Sequence, residues 1–129
     1  MERKKIMFVG IFLPEVQKGT LANCENKGGQ HITLAFRPSE EVWEKLLPYI
    51  GQEVEVTVNA YGNDGQNEGL GVEIDESIPY FGADQKHVTL SIAEGAAAVN
   101  TGKIAMKPIE PYKVRGRVGA IDFKCVVHY

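Results

Sequence analysis

Residues 31–36 read HITLAF, and residues 87–92 read HVTLSI. Each is His, a β-branched residue, Thr, Leu, a small residue and a closing apolar one. In a strand, positions i and i+2 share a face. His31 and Thr33 therefore project from one side while Ile32 and Leu34 are buried on the other, and His87 and Thr89 repeat this against Val88 and Leu90. The chain holds only 3 histidines, and two of them stand in this pattern. Random placement would put two of three histidines two positions before a threonine roughly once in two hundred such chains, which is the false-positive risk the motif carries.

Working outward, KIMFVGIFL (5–13) predicts a core strand. Residues 14–30 are polar and glycine-punctuated, with no period of 2 or 3.6, and read as a long loop of the kind associated with function. After HITLAF, Ser39 suits a helix N-cap, and Glu40 and Glu41 suit the positive end of its dipole. Val42, Trp43, Leu46, Leu47 and Ile50 fall on one stripe, Pro48 limits the regular part, and Gly51 ends it. EVEVTVNAY (53–61) alternates, with Val54, Val56 and Val58 inward and Glu53, Glu55 and Thr57 outward. GNDGQ (62–66) is a turn, and EGLGVEID (68–75) alternates again through Leu70, Val72 and Ile74. ESIPYFGADQK (76–86) is a loop, residues 93–103 allow one short helical turn, and 112–128 read as one or two strands with a bulge or tight turn at Gly116 and Gly119. The order predicts a single α+β domain over 1–129, rich in antiparallel sheet and poor in helix.

Composition bounds the function. The chain of 129 residues is 43% hydrophobic, enough for a core without metal or disulfide staples. Cys24 and Cys125 have neither zinc nor CxxC spacing and read as free thiols of a reducing compartment. No apolar run is long enough for a membrane helix. MERKK followed by IMFVGIFLPE imitates a signal peptide but lacks a cleavage site. A cytoplasmic protein that needs no membrane is expected, and a monomer. The net charge of −3 argues against a broad face for long duplex nucleic acid, but not against a nucleotide or an RNA end held by a few local cations.

Two imidazoles titrate near neutrality, so one can accept a proton while the other donates one. Two hydroxyls can bond phosphate oxygens. If strands 31–36 and 87–92 lie near each other, the set suits in-line displacement at phosphorus: a base behind the nucleophile, an acid at the leaving oxygen, and donors for the nonbridging oxygens. No spacing suggests a metal or other cofactor. The plain alternative is two strands whose His and Thr are merely solvated.

The tetrapeptides HITL and HVTL resemble the paired HxTx signature of the two-histidine phosphoesterases, the superfamily of RNA 2′,3′-cyclic phosphodiesterases and RNA-ligase-like proteins. IMFVGIFLPE resembles that family's first strand, and HVTLSIAEGAAAVNTGK looks like the second half of its RNA-repair-like branch. The resemblance implies a bilobal α+β fold, two pseudo-symmetric antiparallel-sheet lobes flanking a central cleft. It also implies metal-independent cleavage of a cyclic phosphate or a 2′-linked phosphodiester, with a cyclic oligonucleotide signal among the possible substrates. By position, His31 and His87 would be the acid–base pair, and Thr33 and Thr89 the phosphate clamps. Bacterial members with a longer first half place an amphipathic helix before the first motif, and residues 14–30 show none.

Among the remaining residues, Tyr80 and Phe81 are candidates to stack a base, against the reading that one of them plugs the core. Lys18, Lys27 and Lys86 read as solvated. Arg115 and Arg117 alternate on one strand face, and either line a cleft or are solvated. His128 reads as a strand histidine, and Glu53, Glu55 and Glu73 as the outer face of a hairpin. The competing function is a non-catalytic module that sequesters a nucleotide in the same pocket.

Overall fold

The computed structural model describes residues 2–21 and 30–129. Its strands are β1 (Ile6–Phe12), β2 (His31–Phe36), β3 (Glu53–Asn63), β4 (Asn67–Ile74), β5 (His87–Ile92), β6 (Lys107–Asp122) and β7 (Val127–His128), with one α-helix, α1 (Glu40–Leu46). The class is α+β, antiparallel and poor in helix. All the strands join one sheet in the order β2-β1-β6-β3-β4-β5, with β7 added on β6. The sheet curls until its two end strands, β2 and β5, come within 8 Å of each other between Cα atoms. The gap between them is bridged by the 76–86 loop, where the Phe81 N–H donates to the Leu34 carbonyl at 2.8 Å. The result is a nearly closed barrel.

Its connectivity is duplicated. Strand, strand, helical segment, strand describes β1-β2-α1-β3, and describes β4-β5, the 3-10 turn Ala98–Lys103, and β6. Exchanging β1 with β4, β2 with β5 and β3 with β6 reverses the sheet order and leaves it unchanged. The halves that the paired motifs imply are thus halves of one sheet, joined where β3 pairs with β6.

Alternation builds the interior. Val9, Ile11, Ile32, Leu34, Val56, Val58, Leu70, Val88 and Val118 point inward and are buried, and Trp43 and Leu46 of α1 pack against them. Ser39 caps α1, its Oγ accepting from the Val42 N–H at 3.3 Å. Leu47–Tyr49 continue α1 as a 3-10 turn around Pro48, and Gly51 leaves it at φ +94°, a conformation that favours glycine.

β6 departs from expectation. It begins at Lys107 and passes through Pro108 and Pro111, residues that lack a ladder donor. The β3–β6 register breaks between Val58 and Ala60, and Pro111 falls in that break. β1 reaches only the Arg117–Asp122 end of β6, so the proline-bearing half has one neighbour. Gly116 and Gly119 make no turn. A Cβ on Gly116 would stand 2.5 Å from Ile11 Cγ2, and one on Gly119 2.9 Å from Val127 Cγ1, so close packing requires glycine there.

Candidate active site

The two motif strands are the two ends of the sheet, and they meet where the barrel nearly closes. Neighbours along the path are all antiparallel, so β2 and β5 run in opposite directions and their HxT patterns lie head to tail. In each strand the His and Thr are half-buried and the alternating residues buried, which puts all four polar side chains on the face away from the core. The neighbouring strands match: Thr33 stands opposite Gly10 on β1, and Thr89 opposite Gly69 on β4. The 80–83 segment links the patches. A Cβ on Gly82 would lie 2.7 Å from the Thr33 carbonyl oxygen, and one on Gly102 would lie 2.5 Å from Ala83 Cβ and 3.1 Å from His87 Cε1.

The histidines have different surroundings. His87 sits under the Ala98–Lys103 turn, and its Nδ1 is 2.9 Å from the Gln85 carbonyl oxygen. A carbonyl only accepts, so Nδ1 carries the hydrogen and Nε2 of the neutral ring keeps its lone pair. Burial pushes the His87 pKa below its ordinary value, and the Gln85 bond opposes this only in part. His31 stacks on Phe8, ring centres 4.6 Å apart, and leans on Phe12 at 5.7 Å.

Tyr80 is not presented for stacking. Its hydroxyl donates to the Ala83 carbonyl at 2.6 Å, its ring packs on the core, and Lys86 Nζ lies 4.7 Å from the ring centre. Burial, then the charge of Asp84, raises its pKa. Tyr80 therefore shapes the loop that carries the neighbouring, exposed Phe81 past β2. Lys27 and Cys24 lie outside the described residues. Lys18 is exposed, as a solvated lysine should be. Arg117 donates from Nε to the Gly51 carbonyl at 3.0 Å, and His128 pairs with Asp122 at 3.0 Å.

Glu68 was missed by the motif reading. It is wholly buried, and it ties the first part of the 14–30 loop to the second half of the sheet. Its carboxylate accepts from the Thr20 N–H at 2.7 Å, Thr20 Oγ1 at 3.0 Å, Ser91 Oγ at 2.7 Å and the Tyr61 hydroxyl. Ser91 Oγ in turn accepts from the Leu21 N–H at 3.2 Å. At the other end Gln30, next to His31, bonds Leu13, Val16 and Gln17. The loop is thereby anchored beside His31 on one edge strand and two residues past Thr89 on the other. Glu68 has the strand parity of Leu70, Val72 and Ile74, and that parity is the signal that could have found it.

A separate groove of about 480 Å³ lies along β3 and β4, lined by Glu53, Glu55, Glu73 and Asp75 among others. Its carboxylates disfavour a phosphate there. Among the described residues no group of three His, Cys, Asp or Glu is placed to hold a metal, and no helix is long and apolar enough to cross a membrane. Comparison with protein-family models finds none that matches the chain, and comparison with curated proteins finds no match.

Proposed function

We propose that the chain is a phosphodiesterase that hydrolyses a 2′,3′-cyclic phosphate or a 2′-linked phosphodiester of a nucleotide or RNA end. The observation that carries this reading is the equivalence of two His-x-Thr pairs on adjoining edge strands of a duplicated sheet. Neutral His87, with its Nε2 lone pair, serves as general base and takes a proton from water. The water oxygen bonds to phosphorus, the bond to the leaving ribose oxygen breaks, and the imidazolium of His31 protonates that oxygen. The phenyl face of Phe8 attracts such a cation. Proton exchange with solvent resets both rings, so the net reaction consumes one water. Thr33 and Thr89 hydrogen-bond the nonbridging oxygens, where charge accumulates.

The test is turnover in EDTA on a panel of 2′,3′-cyclic nucleotides, 2′–5′ and 3′–5′ dinucleotides, and cyclic di- and trinucleotides. Turnover that disappears in His31→Ala and in His87→Ala supports the reading. Turnover that survives both substitutions sinks it. Tight binding without product would point instead to a sequestering module built on the same pocket.

A further inference from the structure

We propose that the aromatic and basic end of the sheet around Phe36, Arg37 and Phe123 binds single-stranded polynucleotide, so that the substrate presented to the histidines is the end of a strand. The inference rests on the phosphodiesterase reading for what happens at the end of that strand, but not for the binding itself.

The surface continues from the motif. Along β2, His31, Thr33 and Phe36 stand opposite Phe12, Gly10 and Phe8 of β1, and so share one face. At strand rise, Phe36 lies ~17 Å along β2 from His31, a span of several nucleotides. Phe36 is 60% exposed and Phe123 50% exposed, and a contiguous exposed aromatic patch, unlike a single exposed ring, marks a binding surface. The Arg37 guanidinium stands between them, 5.4 Å from each ring centre. Stacked aromatic rings and guanidinium planes are what unpaired bases stack on in single-strand recognition.

Charge points the same way. The net charge of −3 averages over a local run of cations at this end. The turn Arg3–Lys5 adjoins this end: Arg3 donates to the Pro38 carbonyl at 3.2 Å, and the Phe123 N–H donates to the Lys5 carbonyl at 3.3 Å. Lys124 follows Phe123, and Arg117 lies farther along the same face, 5.2 Å from the Tyr129 ring. Carboxylates offset them in part: Glu2 on Lys5 at 3.6 Å, Asp122 on His128 at 3.0 Å, and Glu40 and Glu41 in the first turn of α1 just past Arg37. The Glu53, Glu55, Glu73 and Asp75 groove runs along β3 and β4, where Glu53 stands opposite Arg117 and Glu55 pairs with Lys113 at 3.3 Å.

The experiment measures binding of 5′-fluorescein-labelled uridine oligonucleotides with ordinary 3′-hydroxyl ends, from dimer to hexamer, by anisotropy on the full chain. The hexamer is expected to bind roughly tenfold or more tighter than the dimer, and Phe36→Ala and Phe123→Ala each to weaken the hexamer roughly tenfold. Arg37→Gln should reduce the slope of log K against log salt by about 0.7. These residues are exposed, and thermal melts would confirm that the variants fold. A flat length dependence, unchanged affinity in all three variants, or a shift to dimer in place of RNA binding would overturn the proposal. Cyclic mononucleotide turnover and hexamer binding in the His31→Ala, His87→Ala double variant separate the two readings. Retained hexamer binding with no wild-type turnover on any panel member leaves the platform standing and removes the catalytic reading. Turnover without length-dependent binding does the reverse.

Discussion

Ser91 Oγ donates to the buried Glu68 carboxylate at 2.7 Å across the β4–β5 pair, two residues beyond Thr89. Burial alone would raise the Glu68 pKa. The hydrogen bonds from Tyr61, Ser91 and Thr20 outweigh that and hold it below its ordinary value of 4.5. A carboxyl with a lowered folded pKa contributes stability that is present above its unfolded pKa and lost as pH falls through the folded one. Glu68→Gln keeps the shape but turns donors against donors. It should cost ~1–3 kcal/mol at neutral pH and flatten the loss of stability below pH 4.5. Urea melts from pH 3 to 7 check both effects, and an unchanged acid limb would show that another carboxyl governs it.

His87 predicts a second pH dependence, of opposite origin. Its pKa is lowered by burial from the ordinary 6.5, so the unfolded chain binds the proton more readily than the folded one. Stability should therefore decline as pH falls from 6.5 toward the folded value and level off below it. The same depression keeps His87 neutral as a base, so the acidic limb of kcat/KM should fall below pH 6.5. NMR titration of the His87 ring reads the value directly, and a pKa at or above the ordinary one would remove His87 from the base role.

Much of this was legible in the sequence. HITLAF and HVTLSI gave both edge strands and their buried sides, since alternation reports a half-buried strand directly. Ser39, the Trp43–Leu46 stripe and Gly51 gave α1 and its end. The meeting of β2 with β5 was not legible, because pairing across the whole chain leaves no local pattern. Glu68 was not singled out, because a charged residue by itself carries no local sign of being buried. It is inward because Thr20, Tyr61 and Ser91 satisfy it, and those partners are remote in sequence. The start of β6 at Lys107, ahead of the expected 112, was not legible, because the register break and missing neighbour that accommodate Pro108 and Pro111 are set by remote strands. The gathering of Arg37 and the Arg3–Lys5 turn at one end of the sheet was hidden in the net charge.

The two imidazoles and the two hydroxyls should separate kinetically. On the proposed phosphodiesterase reading, His31→Ala and His87→Ala each remove a proton-transfer partner and should lower kcat by ~10²–10⁴. On the same reading, Thr33→Val and Thr89→Val keep the strand shape and remove a hydrogen-bond donor to the phosphate, so smaller losses, shared between kcat and KM, are expected. Steady-state kinetics on a 2′,3′-cyclic nucleotide checks the order. If the Thr variants lost as much as the His variants, the hydroxyls would be part of the proton-transfer machinery.

Gly102 predicts how tightly the Ala98–Lys103 turn must sit on His87. A Cβ there would be 2.5 Å from Ala83 Cβ and 3.1 Å from His87 Cε1. The turn cannot easily retreat: buried Thr101 accepts from Asn67 Nδ2 at 3.0 Å, and its carbonyl accepts from Gln85 Nε2 at 3.3 Å. Gly102→Ala should therefore cost ~1–3 kcal/mol of stability and tilt the His87 ring, lowering kcat more than it raises KM. Adding Ala83→Gly removes the closer clash and should recover most of the stability. The pressure on the ring remains, so kcat should recover less. Thermal melts and kinetics of the single and double variants test this separation. Full recovery of both by Ala83→Gly would mean that the ring was never displaced and that the turn only packs on the 80–83 loop.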